Sequence, residues 1–270
     1  MPWRPAATLT WPGAFRGNAT PAPPPPSTAR SSEPMSTDQP LHHRYVRSFV
    51  RREGRLTEGQ KRALDAHYAE YGLPADKQPL DLAATFGRSA PVILEIGFGN
   101  GESLAEMAAT HPERDYLGVE VHRPGIGRLL HLVTEQGLTN VRVIDGDAVE
   151  VMTHQLRPGS LAGIQLYFPD PWPKKRHHKR RIVQPDWVEL AASRLQPGGW
   201  LHLATDWDDY AEHMLAVMEA NPCFENVYGA GCYADSPGER PRTKFEERGT
   251  RKGHAVRDLV YRRRSDDRAT

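Results

Sequence analysis

Cysteine is scarce in this chain: 270 residues hold only Cys223 and Cys232, with no Cys-x-x-Cys pair and no Cys/His spacing of the kind zinc requires. This argues against a disulfide framework and a structural metal, and for free thiols in a reducing compartment. Long apolar runs are lacking too. None approaches the roughly 18 residues that cross a bilayer, and residues 1–30 have no continuous apolar stretch of a secretory signal. The expectation is a soluble, cytoplasmic protein with no membrane partner. An excess of either charge is also missing, since 35 Lys and Arg stand against 34 Asp and Glu. Whatever basicity the chain uses must therefore be local, steering a ligand to one face. At 38% hydrophobic and 26% charged, the chain is long enough for one substantial core plus a tail or small appendage.

Proline is plentiful but uneven. Ten of the 24 prolines fall in residues 1–40, including Pro23–Pro26, with almost no apolar periodicity around them. Residues 1–40 are expected to be a disordered, Pro-rich tail. Met35 within it offers a second translation start. The arginines and serines there loosely resemble an organellar transit peptide, but no amphipathic helical pattern accompanies them. Residues 41–79 form a basic segment, with Arg44, Arg47, Arg51, Arg52 and Arg55 ahead of a helix predicted over 57–71. Thr57 is its N-cap, and Leu64, His67, Tyr68 and Tyr71 share one face.

From residue 80 to 264 the pattern alternates. Apolar stretches at 92–94, 116–119, 141–144, 163–168 and 200–204 are interleaved with helical stretches at 103–110, 125–135, 186–195 and 210–220, and a last strand lies near 259–261. Short strands alternating with helices imply a parallel sheet with right-handed crossovers.

The first strand runs into Leu94-Glu95-Ile96-Gly97-Phe98-Gly99-Asn100-Gly101 and opens a helix. A parallel sheet binds nucleotide-like ligands at such a place, and Gly97, Gly99 and Gly101 let backbone approach the ligand. A glycine turn alone also serves as a tight connection. Two acids add weight. Glu120 closes the second strand about twenty residues on, where an acid accepts ribose hydroxyls, and Asp147 closes the third, where an adenine edge would lie. A diphosphate binder calls for glycine at position 102, where this chain has Glu102. Glu95 inside the turn suits a ligand ending in an ammonium and a sulfonium, S-adenosylmethionine, with a nicotinamide dinucleotide as the alternative.

After the fourth strand, Phe168-Pro169-Asp170-Pro171-Trp172-Pro173 sets one carboxylate among rings, and Lys174-Lys175-Arg176-His177-His178-Lys179-Arg180-Arg181 follows at once. Six permanent cations in eight residues cannot enter a core unpaired, so they face water or a polyanion, and nucleic acid is the polyanion expected. A solvated basic loop and a structural Pro-Asp-Pro turn are the bland alternatives. Beside the carboxylate a flipped base has rings to stack on and an acid to bond. Adjacent imidazoles amid cations repel a metal, so His177 and His178 are not read as ligands.

The chain resembles the bacterial tRNA (guanine-N7)-methyltransferases. The resemblance rests on Leu94–Gly99, Gly118-Val119-Glu120-Val121-His122, Asp147-Ala148, Phe168–Lys174, Lys179-Arg180-Arg181, Ala204-Thr205-Asp206-Trp207 and Thr243-Lys244-Phe245-Glu246, within about Arg47 to Arg263. It implies a Rossmann-like, class I S-adenosylmethionine-dependent methyltransferase: α/β, with a mostly parallel seven-stranded sheet and helices on both faces. It also implies methylation at N7 of the variable-loop guanosine of tRNA, position 46, giving 7-methylguanosine and S-adenosylhomocysteine. By the same resemblance Glu95, Glu120 and Asp147 hold the cofactor and Asp170 is the active-site acid. Lys174, Asp206, Thr243, Lys244, Phe245 and Glu246 meet the substrate or close the pocket. Lys174 to Arg181, comprising Arg176, His177, His178, Lys179, Arg180 and Arg181, together with the arginines from Arg44 to Arg55, are expected on RNA phosphates. Further cations at Arg240, Arg242, Arg248, Arg251 and Lys252 are expected to join them. A monomer is the default. The rival from another class is a non-catalytic tRNA-binding protein, which would be expected to lack Asp170 or the glycine turn.

Overall fold

Thr57 starts the first helix with a capping box. Its side chain accepts the Gln60 amide at 3.2 Å while the Gln60 side chain accepts the Thr57 amide at 2.9 Å, so two amides that helix geometry leaves unpartnered are satisfied together. Helix α1 (Glu58–Tyr71) turns Ala63, Leu64 and Tyr71 inward and passes straight into a two-residue strand, β1 (Gly72–Leu73). The helix predicted over 57–71 is thus present, with Thr57 as its cap. The computed structural model describes residues 48–49, 54–236, 238–241, 246 and 255–265, all of them in one unit spanning Tyr45–Thr270. The Pro-rich tail predicted for residues 1–40 lies outside the described residues.

Beyond β1 come α2 (Leu82–Phe86), β2 (Val92–Ile96), α3 (Glu102–Thr110), β3 (Asp115–Glu120), α4 (Arg123–Glu135), β4 (Val141–Asp145), α5 (Ala148–His154) and β5 (Leu161–Tyr167). They are followed by α6 (Pro185–Arg194), β6 (Leu195–Thr205), α7 (Asp208–Glu219), β7 (Phe224–Asn226) and β8 (Arg257–Arg263). The strands make one sheet in the order β1-β4-β3-β2-β5-β6-β8-β7. Pairing is parallel from β1 through β6, and β8 runs antiparallel to both β6 and β7. The sheet is α/β and mostly parallel as expected, but it has eight strands rather than seven. Its two shortest strands, β1 and β7, are edge strands of two and three residues, below the length at which alternation shows in a sequence.

The central strands are buried on both faces, which explains their continuous apolar runs. Val92, Leu94 and Ile96 of β2 face a core completed by α5, α6 and α7, where Met152, Trp187 and Tyr210 are buried. Ile93 faces a second core completed by α1, α3 and α4, with Leu104, Ile126 and Leu129 buried in it. Strand order reverses at β2, whose neighbours are β3 on one side and β5 on the other. That reversal opens a crevice outside the carboxyl ends of β2 and β5. Among the described residues no helix is long and apolar enough to cross a membrane.

Candidate active site

The turn after β2 is built by backbone that side chains disfavour. Gly97, Gly99 and Gly101 have φ of 70°, 58° and 71°, a left-handed conformation glycine adopts without steric penalty. The Gly97 amide donates to the Val119 carbonyl at 2.8 Å, which ties the turn to the end of β3. A second tie comes from Glu120. Its Oε2 accepts the Gly99 amide at 2.8 Å, and its Oε1 accepts the amides of Val121 at 2.7 Å and His122 at 2.9 Å. Three donors fix the orientation of the carboxylate and aim it at the crevice. Asp147 is the N-cap of α5, accepting the Val149 amide at 3.0 Å.

Glu95 is the opposite case. It is buried on β2, its Oε2 has no hydrogen-bond partner, and burial, reinforced by the charge of Glu120, pushes its carboxyl up to about 8. An unpaired buried carboxylate is costly, so the group holds a proton until a cation or donor arrives. An ammonium-bearing ligand in the glycine turn would satisfy it, and the residues present fit S-adenosylmethionine on that ground.

Gly97, Glu120, Asp147 and Asp170 line one cavity of about 390 Å³ at the carboxyl ends of the strands, together with Ser48, Phe49 and Tyr167. Glu95 lies on β2 two residues before Gly97, and Gly99 joins through its bond to Glu120. A larger groove of about 610 Å³ between α1 and α4 is lined by none of the candidate cofactor, catalytic or substrate residues. Position at the strand-order reversal, not size, selects the smaller cavity. Ser48 and Phe49 carry no pattern that a single sequence reveals.

The acid-bearing loop is strained. Phe168 and Trp172 both adopt left-handed backbone, with φ of 51° and 44°, which bulky residues keep only when their surroundings hold them. The Trp172 indole donates to the Ser48 carbonyl at 2.9 Å, Arg180 stacks 4.4 Å from its ring centre, and His177 meets it edge-on. The basic run forms a 3₁₀ turn, Lys175–Arg180, with Lys174, Lys175, Arg176 and Lys179 exposed. Partial desolvation and then the surrounding cations push the His177 imidazole below its ordinary value.

Arg181 departs from its expected place on RNA. It is buried, its Nε donates to the Pro171 carbonyl at 2.9 Å, its Nη2 pairs with Asp209, and its face lies 4.8 Å from the Tyr210 ring centre. A guanidinium satisfied in this way clamps the loop to α7 and has no face left for a phosphate. The pairing holds the Asp209 carboxyl below its usual range.

Arg240 departs likewise, being buried against Asp258 and Glu246. Glu246, expected at the substrate, is in this arrangement bound to that arginine. Lys174, exposed, and Asp206, half-buried beyond β6, do not line the cavity. Thr243, Lys244 and Phe245 lie outside the described residues, as do Arg44, Arg47, Arg51, Arg52, Arg242, Arg248, Arg251 and Lys252. Both cysteines are exposed free thiols.

Residues 89–259 match the model of a family described as "Putative methyltransferase". The chain is 66% identical over 223 residues to a tRNA (guanine-N(7)-)-methyltransferase of Alkalilimnicola ehrlichii, covering 82% of this chain and 94% of the relative. It is 58% identical over 224 residues to one of Halorhodospira halophila, covering 83% and 97%, and 55% identical over 242 residues to one of Burkholderia cenocepacia, covering 90% and 93%. Among solved structures, the 16S rRNA methyltransferase KamB superimposes with a TM-score of 0.51 at 15% identity, covering 70% of this chain and 95% of that one. That likeness bears on the fold alone.

Proposed function

Because the chain belongs to the family of the tRNA (guanine-N(7)-)-methyltransferases, we propose that it methylates N7 of the variable-loop guanosine of tRNA, position 46, giving 7-methylguanosine and S-adenosylhomocysteine. The observation that carries this reading is the convergence of Gly97, Glu120, Asp147 and Asp170 on one cavity beside an exposed basic turn.

S-adenosylmethionine, when bound, supplies an electrophilic methyl group carried on a sulfonium. Glu120, fixed by three amides, retains acceptor capacity for ribose hydroxyls, and Asp147 offers its carboxylate toward the adenine. Glu95 gives up its proton to become the counter-ion of the ligand's ammonium.

The acceptor needs no general base, because N7 of guanine has a lone pair and no proton; the residues have only to position it in line with the methyl group. Positive charge then develops on the purine, and the Asp170 carboxylate stabilises that charge more as it grows. Asp206 holds the Watson–Crick edge through the N1 and N2 hydrogens. Lys174, Lys175, Arg176 and Lys179 contact phosphates, while the shape of the tRNA and the exposed base supply recognition. The protein acts as a monomer, in the cytoplasm.

Incubation of the purified chain with methyl-labelled S-adenosylmethionine and unmodified tRNA, followed by digestion, tests the reading. Label in 7-methylguanosine supports it. Label in another nucleoside, or tRNA binding without label, overturns it.

A further inference from the structure

Arg240 has none of its side chain exposed, and a buried cation survives only when its donors and faces are used. The Nε and Nη2 of Arg240 donate to the two oxygens of Asp258 at 2.8 and 2.9 Å, and its Nη1 and Nη2 donate to those of Glu246 at 2.7 and 3.2 Å. Its planar faces are engaged as well, 5.4 Å from the ring centre of Phe168 and 5.7 Å from that of Tyr167. Asp258 is bound in turn to His202 of β6 at 2.7 Å, and the other ring nitrogen of His202 meets the Tyr167 hydroxyl at 3.3 Å. These contacts close a ring, Arg240 to Asp258 to His202 to Tyr167 and back to Arg240.

Phe168 is where β5 leaves the sheet and enters the left-handed backbone ahead of Pro169 and Asp170. We propose that Arg240 is a positioning residue of the methyl-transfer site, joining Glu246 to the Tyr167–Phe168 wall and thereby fixing the turn that presents Asp170. Glu246 then acts through Arg240 and not by contact with substrate. Only arginine has the planar fork that grips two carboxylates and stacks on rings at once; a lysine keeps the charge and loses that geometry. The kinetic part of this proposal rests on the methyltransferase reading above.

The test uses the full chain with Arg240→Lys, Glu246→Gln and the double variant. Each is measured for kcat and KM with tRNA, for S-adenosylhomocysteine affinity by calorimetry, and for amide hydrogen exchange. Arg240→Lys is expected to lower kcat at least tenfold, with S-adenosylhomocysteine affinity within about threefold. Exchange in peptides covering 166–172 should rise at least tenfold while that of 92–96 stays unchanged. The double variant should be no worse than the weaker single by more than about threefold, because both changes break one joint. Multiplying losses would make Glu246 a direct substrate contact and overturn the proposal, as would near-normal kcat in Arg240→Lys. If Arg240→Lys does not fold, Glu246→Gln decides through exchange: faster opening at 166–172 supports the joint and unchanged opening overturns it. An inactive wild type would refute the methyltransferase reading and leave the exchange measurement to judge the joint.

Discussion

A β-carbon on Gly125 would lie 1.9 Å from the carbonyl oxygen of Gly99, so the first turn of α4 rests directly on the glycine turn that faces the cavity. Gly125→Ala must push the two apart. The expected result is at least a tenfold loss of S-adenosylhomocysteine affinity by calorimetry. Gly137→Ala is the control: its φ is 63° but its β-carbon would meet nothing, so it should cost about 1 kcal/mol of stability and leave affinity unchanged.

Glu95 makes the stability of the ligand-free protein depend on pH. Its folded-state value is raised to about 8, so between about 4.5 and 8 the unfolded chain has released this proton and the folded chain has not. Stability therefore falls as pH rises through that window, by up to about 1.4 kcal/mol per pH unit, and levels off above it. Glu95→Gln removes the dependence. Urea unfolding from pH 5 to 9 should show the variant gaining on the wild type by a few kcal/mol, while S-adenosylhomocysteine binds it at least tenfold more weakly. A stability gap that does not change with pH would contradict the burial of an unpaired acid.

Exposure divides the basic run, with Lys175, Arg176 and Lys179 at the surface and Arg181 buried. Replacing Lys175, Arg176 and Lys179 with alanine should weaken tRNA binding and flatten its log–log salt slope by about 2 units, leaving cofactor affinity intact. Arg181→Ala should instead destabilise the fold by about 1.5–3 kcal/mol, the loss of charged hydrogen bonds whose remaining partner Asp209 is exposed, with a salt slope close to the wild type's. Filter binding from 50 to 300 mM salt and thermal unfolding separate the two.

That division shows where a sequence stops informing. That Glu120 and Asp147 share one cavity was legible because each ends or follows a strand at the carboxyl edge of a parallel sheet, and the strands themselves follow from apolar runs. Which of six clustered cations turns inward was not legible. The partner that draws Arg181 in, Asp209, lies 28 residues away on another helix. The Arg240–Asp258 pair is hidden for the same reason, since it depends on β8 lying against β6. β1 was missed because two residues hold no period. Glu95 is legible as an acid beside the turn, but that its Oε2 has no partner is a property of packing that only the structure exposes.

Asp170→Asn should keep S-adenosylhomocysteine and tRNA affinities within about threefold and lower kcat by about 10²–10³, because it removes a charge whose effect grows as the transition state forms. Single-turnover kinetics under saturating tRNA measure this. Near-normal turnover would move the charge-stabilising role to another group, with Asp206 the first to examine.

The most direct test of the central claim is methyl transfer to a tRNA transcript carrying 7-deazaguanosine at position 46, compared with the same transcript carrying guanosine. The modified base keeps its Watson–Crick edge and shape but has a C–H where N7 would be. Incorporation should fall to background while binding affinity stays within a few-fold. Full incorporation into the modified transcript would contradict the assignment of N7 at that position as the methyl acceptor.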